Sequence, residues 1–186
     1  MPWLDRLTAK PVVGDLFSLD VVALVCNLNT NMGLNYKLGR QLHAKLGLPF
    51  AQAVRSVVAS LPDQKLPLGE AVAMPLASSL GVIRVVVFCG WWDADNEYTD
   101  KLIYVCVVNS LRQAFKHRIG SMAFPLLRTG SGQVGQHELS AVIVRAFRDL
   151  DALGNSDTFP VENVIFCSDR ESVMEELREI LDKAGI

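Results

Sequence analysis

The chain contains 186 residues, a length typical of one domain with one hydrophobic core. Half of the residues are hydrophobic and 20% are charged, which excludes a disordered or low-complexity protein. Eighteen basic against 20 acidic residues give a formal net charge of −2, so nucleic acid is a disfavoured partner because no positive excess is available for its phosphates.

The lengths of the apolar runs and the spacing of the cysteines indicate where the protein is located and whether it binds a metal. The longest apolar runs, such as residues 82–89, are strand-sized and shorter than the roughly 20 residues that span a bilayer. Residues 1–6 lack the basic and apolar pattern of a secretory signal, so we expect a cytoplasmic protein with no membrane partner. The four cysteines and three histidines show no metal-ligand spacing, which predicts buried thiols, no metal and no cofactor.

The first half of the chain predicts three strands and two helices. Residues 20–27 and 82–89 are β-branched and aliphatic, as buried strands are, and residues 70–77 predict another strand. Leucines four residues apart predict a helix over 37–47 that stops at a glycine, and a proline opens a second helix over 49–61.

The second half continues the alternation of helices and strands. Helices are predicted over 93–118, 138–150 and 172–181, with strands over 121–127 and 161–167. This order predicts a single α/β domain of three layers, α/β/α, around a mixed, largely parallel central sheet. In such folds ligands bind beyond the carboxyl ends of the strands.

An asparagine-rich loop follows the first predicted strand. Residues 27–35 contain four asparagines in nine positions. Asparagine tolerates left-handed backbone angles and offers both a donor and an acceptor, which suits a hydroxyl-rich ligand. A plain turn is the competing interpretation.

A glycine-rich loop lies between a predicted strand and a predicted helix. From Gly130 to Gly135 it contains the pattern G-x-G-x-x-G, which is also the dinucleotide-binding fingerprint. That fingerprint normally opens a domain and has an acidic residue about 20 positions later, whereas here the next strand ends near Asp169. We therefore interpret residues 127–135 as a phosphate-binding loop, because free backbone N–H groups before a helix can hold an anion.

Several segments, in the same order, resemble the macro domain family. Gly14-Asp15-Leu16 resembles its G-D-I, residues 23–29 resemble A-I-V-N-A-A-N, and residues 43–47 resemble H-R-A-A-G. Farther on, residues 68–71 resemble T-G-E-A, and residues 123–130 resemble A-F-P-x-I-S-T-G. The resemblance covers most of the chain and implies the macro fold.

The resemblance also implies a ligand, ADP-ribose or an ADP-ribosylated macromolecule, and some family members hydrolyse ADP-ribosyl conjugates. It implies that Asp15 accepts a hydrogen bond from the adenine amino group. Asn29 would bind the distal ribose and is the candidate catalytic residue. The second loop would surround the phosphates with the backbone N–H groups of Thr129, Gly130, Ser131, Gly132, Gln133, Val134 and Gly135.

The chain departs from the family pattern at three places within its first 40 residues. Cys26 replaces the first asparagine of V-N-A-A-N, and residues 34–37 replace a glycine-rich stretch, where bulky side chains would occupy ligand space. Gap-free counting places Gly39 where many hydrolytic members carry an aspartate, and glycine cannot take a proton. A second register matches Met32-Gly33 to M-G-x-G and puts Asn35 in a left-handed position beside the ligand.

Two further side chains have alternative roles. Arg128 stands where serine is usual, and it either clamps the diphosphate bidentately or lies on the surface. Phe166 lies near the end of the last strand, where an aromatic residue often stacks on adenine in this family. A core role is the competing interpretation for Phe166, with Ser168 as the other candidate for the aligned position.

These residues support three hypotheses about function. Binding of ADP-ribose or a related nucleotide through the two loops, with weak hydrolysis, ranks first because no carboxylate stands at Gly39. An ADP-ribosyl hydrolase proper is the second hypothesis. The third is a protein-interaction scaffold, which requires a filled pocket.

Overall fold

The computed structural model describes residues 2–92, 100–125, 136–153 and 158–186. The strands in these residues are β1 (Thr8–Val13), β2 (Ala23–Asn29), β3 (Ala71–Leu80), β4 (Ile83–Trp92), β5 (Ser121–Pro125) and β6 (Asn163–Ser168). The α-helices are α1 (Lys37–Ser60), α2 (Asp100–Lys116), α3 (Gln136–Ala152) and α4 (Glu171–Ala184). None of the helices in these ranges combines the length and apolar character needed to cross a membrane.

A six-stranded sheet forms the middle layer. Its order is β1-β6-β5-β2-β4-β3, and neighbouring strands are parallel except for the antiparallel pair β3–β4. Helix α1 packs on one face, and α2, α3 and α4 pack on the other. The predicted three-layer fold with a mixed, largely parallel sheet is confirmed, since helical crossovers connect the parallel neighbours.

Strand β1 is the element that the sequence pattern did not predict. Its short run is interrupted by Lys10 and Pro11, and it pairs with β6 at the edge of the sheet. Proline lacks a backbone N–H, but an edge strand tolerates it because one of its sides needs no ladder partner. The edge position explains both the weak sequence signal and the strand's stability in the fold.

Helix α1 is bent, as the sequence predicts for residues 37–61. Gly47 has a φ of 70° and a ψ of −159°, which breaks the helical geometry, and Pro49 begins the next segment. The two helical segments therefore meet at a kink. The first segment begins close to the carboxyl ends of the parallel strands, where its free N–H groups face the same edge of the sheet as the ends of β1, β5 and β6.

Candidate functional site

A concave surface lies at the carboxyl ends of β1, β5 and β6 and against the start of α1. We call it the strand-end cleft, and its volume is about 400 Å³. Its described lining consists of Gly14, Asp15, Leu16, Phe17, Lys37, Leu38, Gln41, Pro125, Cys167, Ser168 and Asp169. This is the edge of an α/β sheet at which ligands are expected, and the volume falls within the range of small-molecule sites.

Asp15 stands at the entrance of the cleft on the turn after β1. One of its carboxylate oxygens, Oδ1, accepts a hydrogen bond from the Phe17 N–H at 3.1 Å, and its backbone carbonyl accepts one from the Ser18 hydroxyl at 2.7 Å. The carboxylate is exposed, and no described residue donates to Oδ2. The turn is therefore fixed through one oxygen, while the second oxygen is available to a donor on a ligand.

Strands β1 and β6 are tied together at the same end of the cleft. The Gly14 N–H donates to the Ser168 carbonyl at 3.1 Å, and the Cys167 thiol donates to the Gly14 carbonyl at 3.3 Å. Burial raises the pKa of the Cys167 thiol, and the nearby carboxylates of Asp15 and Asp169 raise this pKa further. The thiol is thus a protonated structural group, and the two carboxylates make this end of the cleft acidic.

A positive charge also lines the cleft. Lys37 is the first residue of α1 and belongs to the cleft lining. Within the described ranges its ammonium group forms no ion pair or hydrogen bond. A ligand that carries both an amino group and a phosphate group matches a cleft lined by both charges, since a helix N-terminus also favours an anion.

Asn29 fixes the asparagine-rich loop. It is the last residue of β2, next to a register shift between Leu28 and Asn29. Its side-chain oxygen accepts a hydrogen bond from the Gly33 N–H at 2.8 Å, and its carbonyl accepts one from the Met32 N–H at 2.8 Å. No hydrogen bond to its Nδ2 forms within the described part of the chain. Asn29 therefore shapes the loop through oxygen and retains a free donor, although it does not belong to the described lining of the strand-end cleft.

Of the two registers that the sequence left open, the one that gives Asn35 a left-handed backbone is not observed. Met32 has the positive φ in this loop, at 50°, and Asn35 has an ordinary negative φ. The two hydrogen bonds accepted by Asn29 close a tight turn at Met32, whose side chain is only 2% exposed. Burial of a long apolar side chain offsets the backbone strain, which is why a residue other than asparagine or glycine occupies this position.

Residues 34–37 do not fill the cleft with bulky side chains. Leu34 is half-buried and packs against the core beneath α1, while Tyr36 is 41% exposed. Neither residue belongs to the cleft lining, whereas Lys37 does. Asn35 is exposed, and its side-chain oxygen lies near Gly33. The replacement of glycines therefore leaves the cleft open and adds a cation to it.

Several predicted ligand contacts lie outside the described residues. These are Arg128, Thr129, Gly130, Ser131, Gly132, Gln133, Val134 and Gly135. Their roles as a diphosphate clamp and as a phosphate-binding loop stay predictions. Pro125, at the end of β5, is the last described residue before them and lines the cleft, so the chain enters this segment at the cleft.

Phe166 lies in the core and not in the cleft. Its side chain is 1% exposed, and its ring centroid lies 5.4 Å from that of Phe124 and 6.2 Å from that of Phe147. Its contact with Phe147 places Phe166 on the face of the sheet that α3 covers, and Cys167 and Ser168, closer to the end of β6, line the cleft instead. Of the two alternatives that the sequence left open, the structure places Phe166 in the position of a core residue.

Most residues of the cleft lining were not predicted as ligand contacts, among them Lys37, Asp169, Phe17 and Gln41. Asp169 directly follows β6, so its position after a parallel strand was a usable signal. Phe17 and Gln41 carried no such signal, because their places depend on how α1 packs beside the turn after β1. Phe17 also holds a cation, with Lys45 Nζ 4.9 Å from its ring centroid.

The raised pKa values of the buried thiols predict how the free energy of unfolding depends on pH. Burial raises the pKa of Cys26, Cys89 and Cys167 above the ordinary value for a thiol, which is about 8.5. Above that pH the unfolded chain loses protons that the folded chain keeps, so the free energy of unfolding falls as the pH rises, by about 1.4 kcal/mol per pH unit for each thiol fully ionised on unfolding. Urea denaturation between about pH 7.5 and pH 9.5 measures this slope. Cys26→Ala should flatten it by one thiol's share, and an unchanged slope in that variant would contradict the assignment.

Comparison with known proteins identifies the family. The model of the Macro domain family matches residues 25–143, more than half of the chain. Macro domain-containing protein CT2219 of Chlorobaculum tepidum is 25% identical over 169 residues, which cover 90% of this chain and 92% of that protein.

Solved structures show the same fold. A mutant of the Oceanobacillus iheyensis macrodomain with ADPR has a TM-score of 0.78 and 19% identity, and the match covers 97% of this chain and 95% of that one. The Trypanosoma brucei macrodomain in complex with ADP has a TM-score of 0.74 and 15% identity, over 96% of this chain and 70% of that one. With its three-layer architecture and the match of the family model, this chain belongs to the macro domain family.

Proposed function

We propose that this chain binds ADP-ribose or a related nucleotide, free or linked to a protein, in the strand-end cleft. In this proposal the adenine amino group donates to Oδ2 of Asp15, and the diphosphate passes Lys37 and the glycine-rich segment 129–135. Asn29 contributes its Nδ2 donor to the distal ribose. The nucleotide complexes of the two related macrodomains, with ADPR and with ADP, support this choice of ligand.

The observation that carries the proposal is the distribution of unpaired polar groups in an open cleft. A carboxylate oxygen at Asp15 and an ammonium group at Lys37 both face a volume of about 400 Å³ without partners among the described residues. A protein-interaction scaffold requires a filled pocket, and the open cleft disfavours that alternative. A concave surface toward which a few polar groups converge is typical of a ligand site.

Asp15→Asn tests the adenine contact without disturbing the turn. Its side-chain oxygen can still accept from the Phe17 N–H, but an amide donor replaces the free carboxylate oxygen. Loss of a charge-assisted hydrogen bond should weaken ADP-ribose binding about 10- to 100-fold. Calorimetry should also show relatively better binding of the inosine analogue, whose 6-oxo group accepts a hydrogen bond.

Asp20→Asn is the matched control, because Asp20 is exposed and does not line the cleft. It should bind ADP-ribose as the parent does. If the parent gives no heat with ADP-ribose at millimolar concentrations, the proposed function is wrong. If Asp15→Asn binds ADP-ribose as tightly as the parent, the role of Asp15 is wrong.

Weak hydrolysis of ADP-ribosyl conjugates is the second part of the proposal, with Asn29 or the substrate's own phosphate positioning the water. Binding ranks above it because Gly39 supplies no carboxylate. A side chain at this position also meets the loop, since an added Cβ would lie 3.0 Å from the Leu34 Cα and 3.2 Å from the Leu34 carbonyl oxygen.

Gly39→Asp is therefore expected to fail as a gain-of-function variant. The new side chain forces the backbone near Leu34 to move, which should cost about 1–3 kcal/mol of stability and leave the release of ADP-ribose from a modified protein no faster than in the parent. Gly39→Ala separates the steric effect from the carboxylate, and thermal unfolding reports both. Faster release by Gly39→Asp at unchanged stability would contradict the steric argument.

A further inference from the structure

A second concave surface lies along α1, beyond the asparagine-rich loop. We call it the α1 groove, and it is lined chiefly by Asn31, Met32, Leu34, His43, Val54 and Arg55. Its volume is about 540 Å³. Among the residues that the structure describes, the groove shares no lining residue with the strand-end cleft, so the proposed nucleotide contacts leave it unexplained.

The groove has an apolar floor and a polar rim. Met32 and Val54, which are 2% and 3% exposed, lie at its base. Asn31 and Arg55 are exposed on its rim, and His43 is half-buried beside them. Such a surface matches the side chains of a polypeptide segment better than a compact sugar, because apolar contacts alternate with polar ones.

The charge of the groove is one-sided. Its described lining contains Arg55 and His43, and no described lining residue is acidic. Neither of these two side chains forms a hydrogen bond or ion pair within the ranges that the structure describes. Asp63 and Lys65, which flank the rim residue Gln64, carry opposite charges. An acidic segment is therefore the complementary partner.

The groove adjoins the proposed nucleotide site through hydrogen bonds from its lining residues Met32 and Gly33 to Asn29. Gly33 lines the groove, and its N–H is bonded to the side-chain oxygen of Asn29 at 2.8 Å. Asn29 is the residue assigned to the distal ribose, and this is the sugar through which ADP-ribose is joined to a modified protein. A polypeptide attached there would leave the nucleotide site on the side where the groove begins.

We propose that the α1 groove binds the acidic polypeptide segment next to the modified residue of an ADP-ribosylated protein. The inference rests on the proposed function, because the ribose contact of Asn29 sets where the segment starts. Arg55 pairs with a carboxylate of the segment, and the apolar floor at Met32 and Val54 receives a neighbouring aliphatic side chain. Because the nucleotide and the segment are covalently linked, both contribute to the free energy of binding of the conjugate.

Calorimetry with three probes tests this assignment: free ADP-ribose, a glutamate- and leucine-containing peptide with one serine-linked ADP-ribose, and the same peptide with lysine replacing glutamate. The parent should bind the acidic conjugate about tenfold more tightly than free ADP-ribose. This advantage should shrink at high salt, since the rim charges are exposed.

Arg55→Glu should abolish the tenfold advantage and leave the affinity for free ADP-ribose within about twofold of the parent. Arg148→Glu is the matched control, because Arg148 is an exposed arginine on α3, on the other face of the sheet. It undergoes the same change of charge and should keep the advantage.

The outcomes separate the two proposals. Equal affinities of the parent for free ADP-ribose and the acidic conjugate, a preference for the lysine conjugate, or an advantage that survives in Arg55→Glu would each overturn the groove assignment alone. If the parent does not bind free ADP-ribose, the proposed function fails, and the unmodified acidic peptide then decides the groove. Binding of that peptide that is lost in Arg55→Glu supports the groove, and absence of binding overturns it.

Discussion

Asn29→Ala is expected to lower the affinity for ADP-ribose about 100-fold. The substitution removes the proposed ribose donor at Nδ2 and also the acceptor of the Gly33 N–H bond at 2.8 Å. An unsatisfied, half-buried N–H at Gly33 costs about 1–3 kcal/mol, so the loop no longer holds one conformation when the ligand arrives. Calorimetry with ADP-ribose measures the loss, and any release of ADP-ribose from a modified protein should disappear with it.

Asn29→Asp separates the loss of the ribose donor from the loss of the Gly33 hydrogen bond. Its carboxylate still accepts from the Gly33 N–H but offers no donor to the ribose, so its affinity should lie between that of the parent and that of Asn29→Ala. Asn31→Ala is the control, because Asn31 lies exposed in the same loop and accepts no hydrogen bond from it. An Asn29→Ala protein that binds ADP-ribose like the parent would remove Asn29 from the site.

Phe166→Ala is expected to cost about 3–5 kcal/mol of unfolding free energy, as large-to-small changes of buried aromatic residues do. Phe166 is 1% exposed and contacts the rings of Phe124 and Phe147. Its removal leaves a cavity between these two rings, and the close-packed neighbours cannot move enough to fill it. Urea denaturation measures the loss. The folded fraction should bind ADP-ribose as the parent does, because Phe166 does not line the cleft.

Phe17→Ala provides the opposite pattern. Phe17 lines the strand-end cleft and is only partly buried, so its loss should weaken ADP-ribose binding more than it destabilises the fold. Phe166→Leu replaces the alanine variant if that protein does not fold, and it should cost less stability. If folded Phe166→Leu binds ADP-ribose more weakly than the parent while Phe17→Ala binds it equally well, Phe166 and not Phe17 contacts the adenine.

Much of the fold followed from local pattern. The β-branched runs that became β2 and β4 need burial on both faces, and the glycine before Pro49 fixes the kink of α1 wherever the helix packs. Strand β1 could not be found in this way. Its register with β6, from Thr8 opposite Asn163 to Val13 opposite Ser168, joins segments more than 150 residues apart, and no local period encodes such a pairing.

The candidate site, like the fold, was predictable only where the signal is local in the sequence. Motif resemblance singled out Asp15, which lies in the cleft lining, and Asn29, which lies outside the described lining. It did not determine that Lys37 lines the same cleft as Asp15 and Asp169, or that Met32 has the positive φ in the asparagine-rich loop. Those relations arise between segments that meet only after the sheet and α1 have packed.

The sequence by itself determined which stretches become helices and strands in most of the chain, since hydrophobic period and glycine or proline signals act over a few residues. Only the tertiary structure decided which side chains share a cavity and which join the core. Packing against Phe124 and Phe147 placed Phe166 in the core, and residues 34–36 do not belong to the described lining of the cleft. Both outcomes depend on packing between distant segments, so neither can be predicted from the residue types alone.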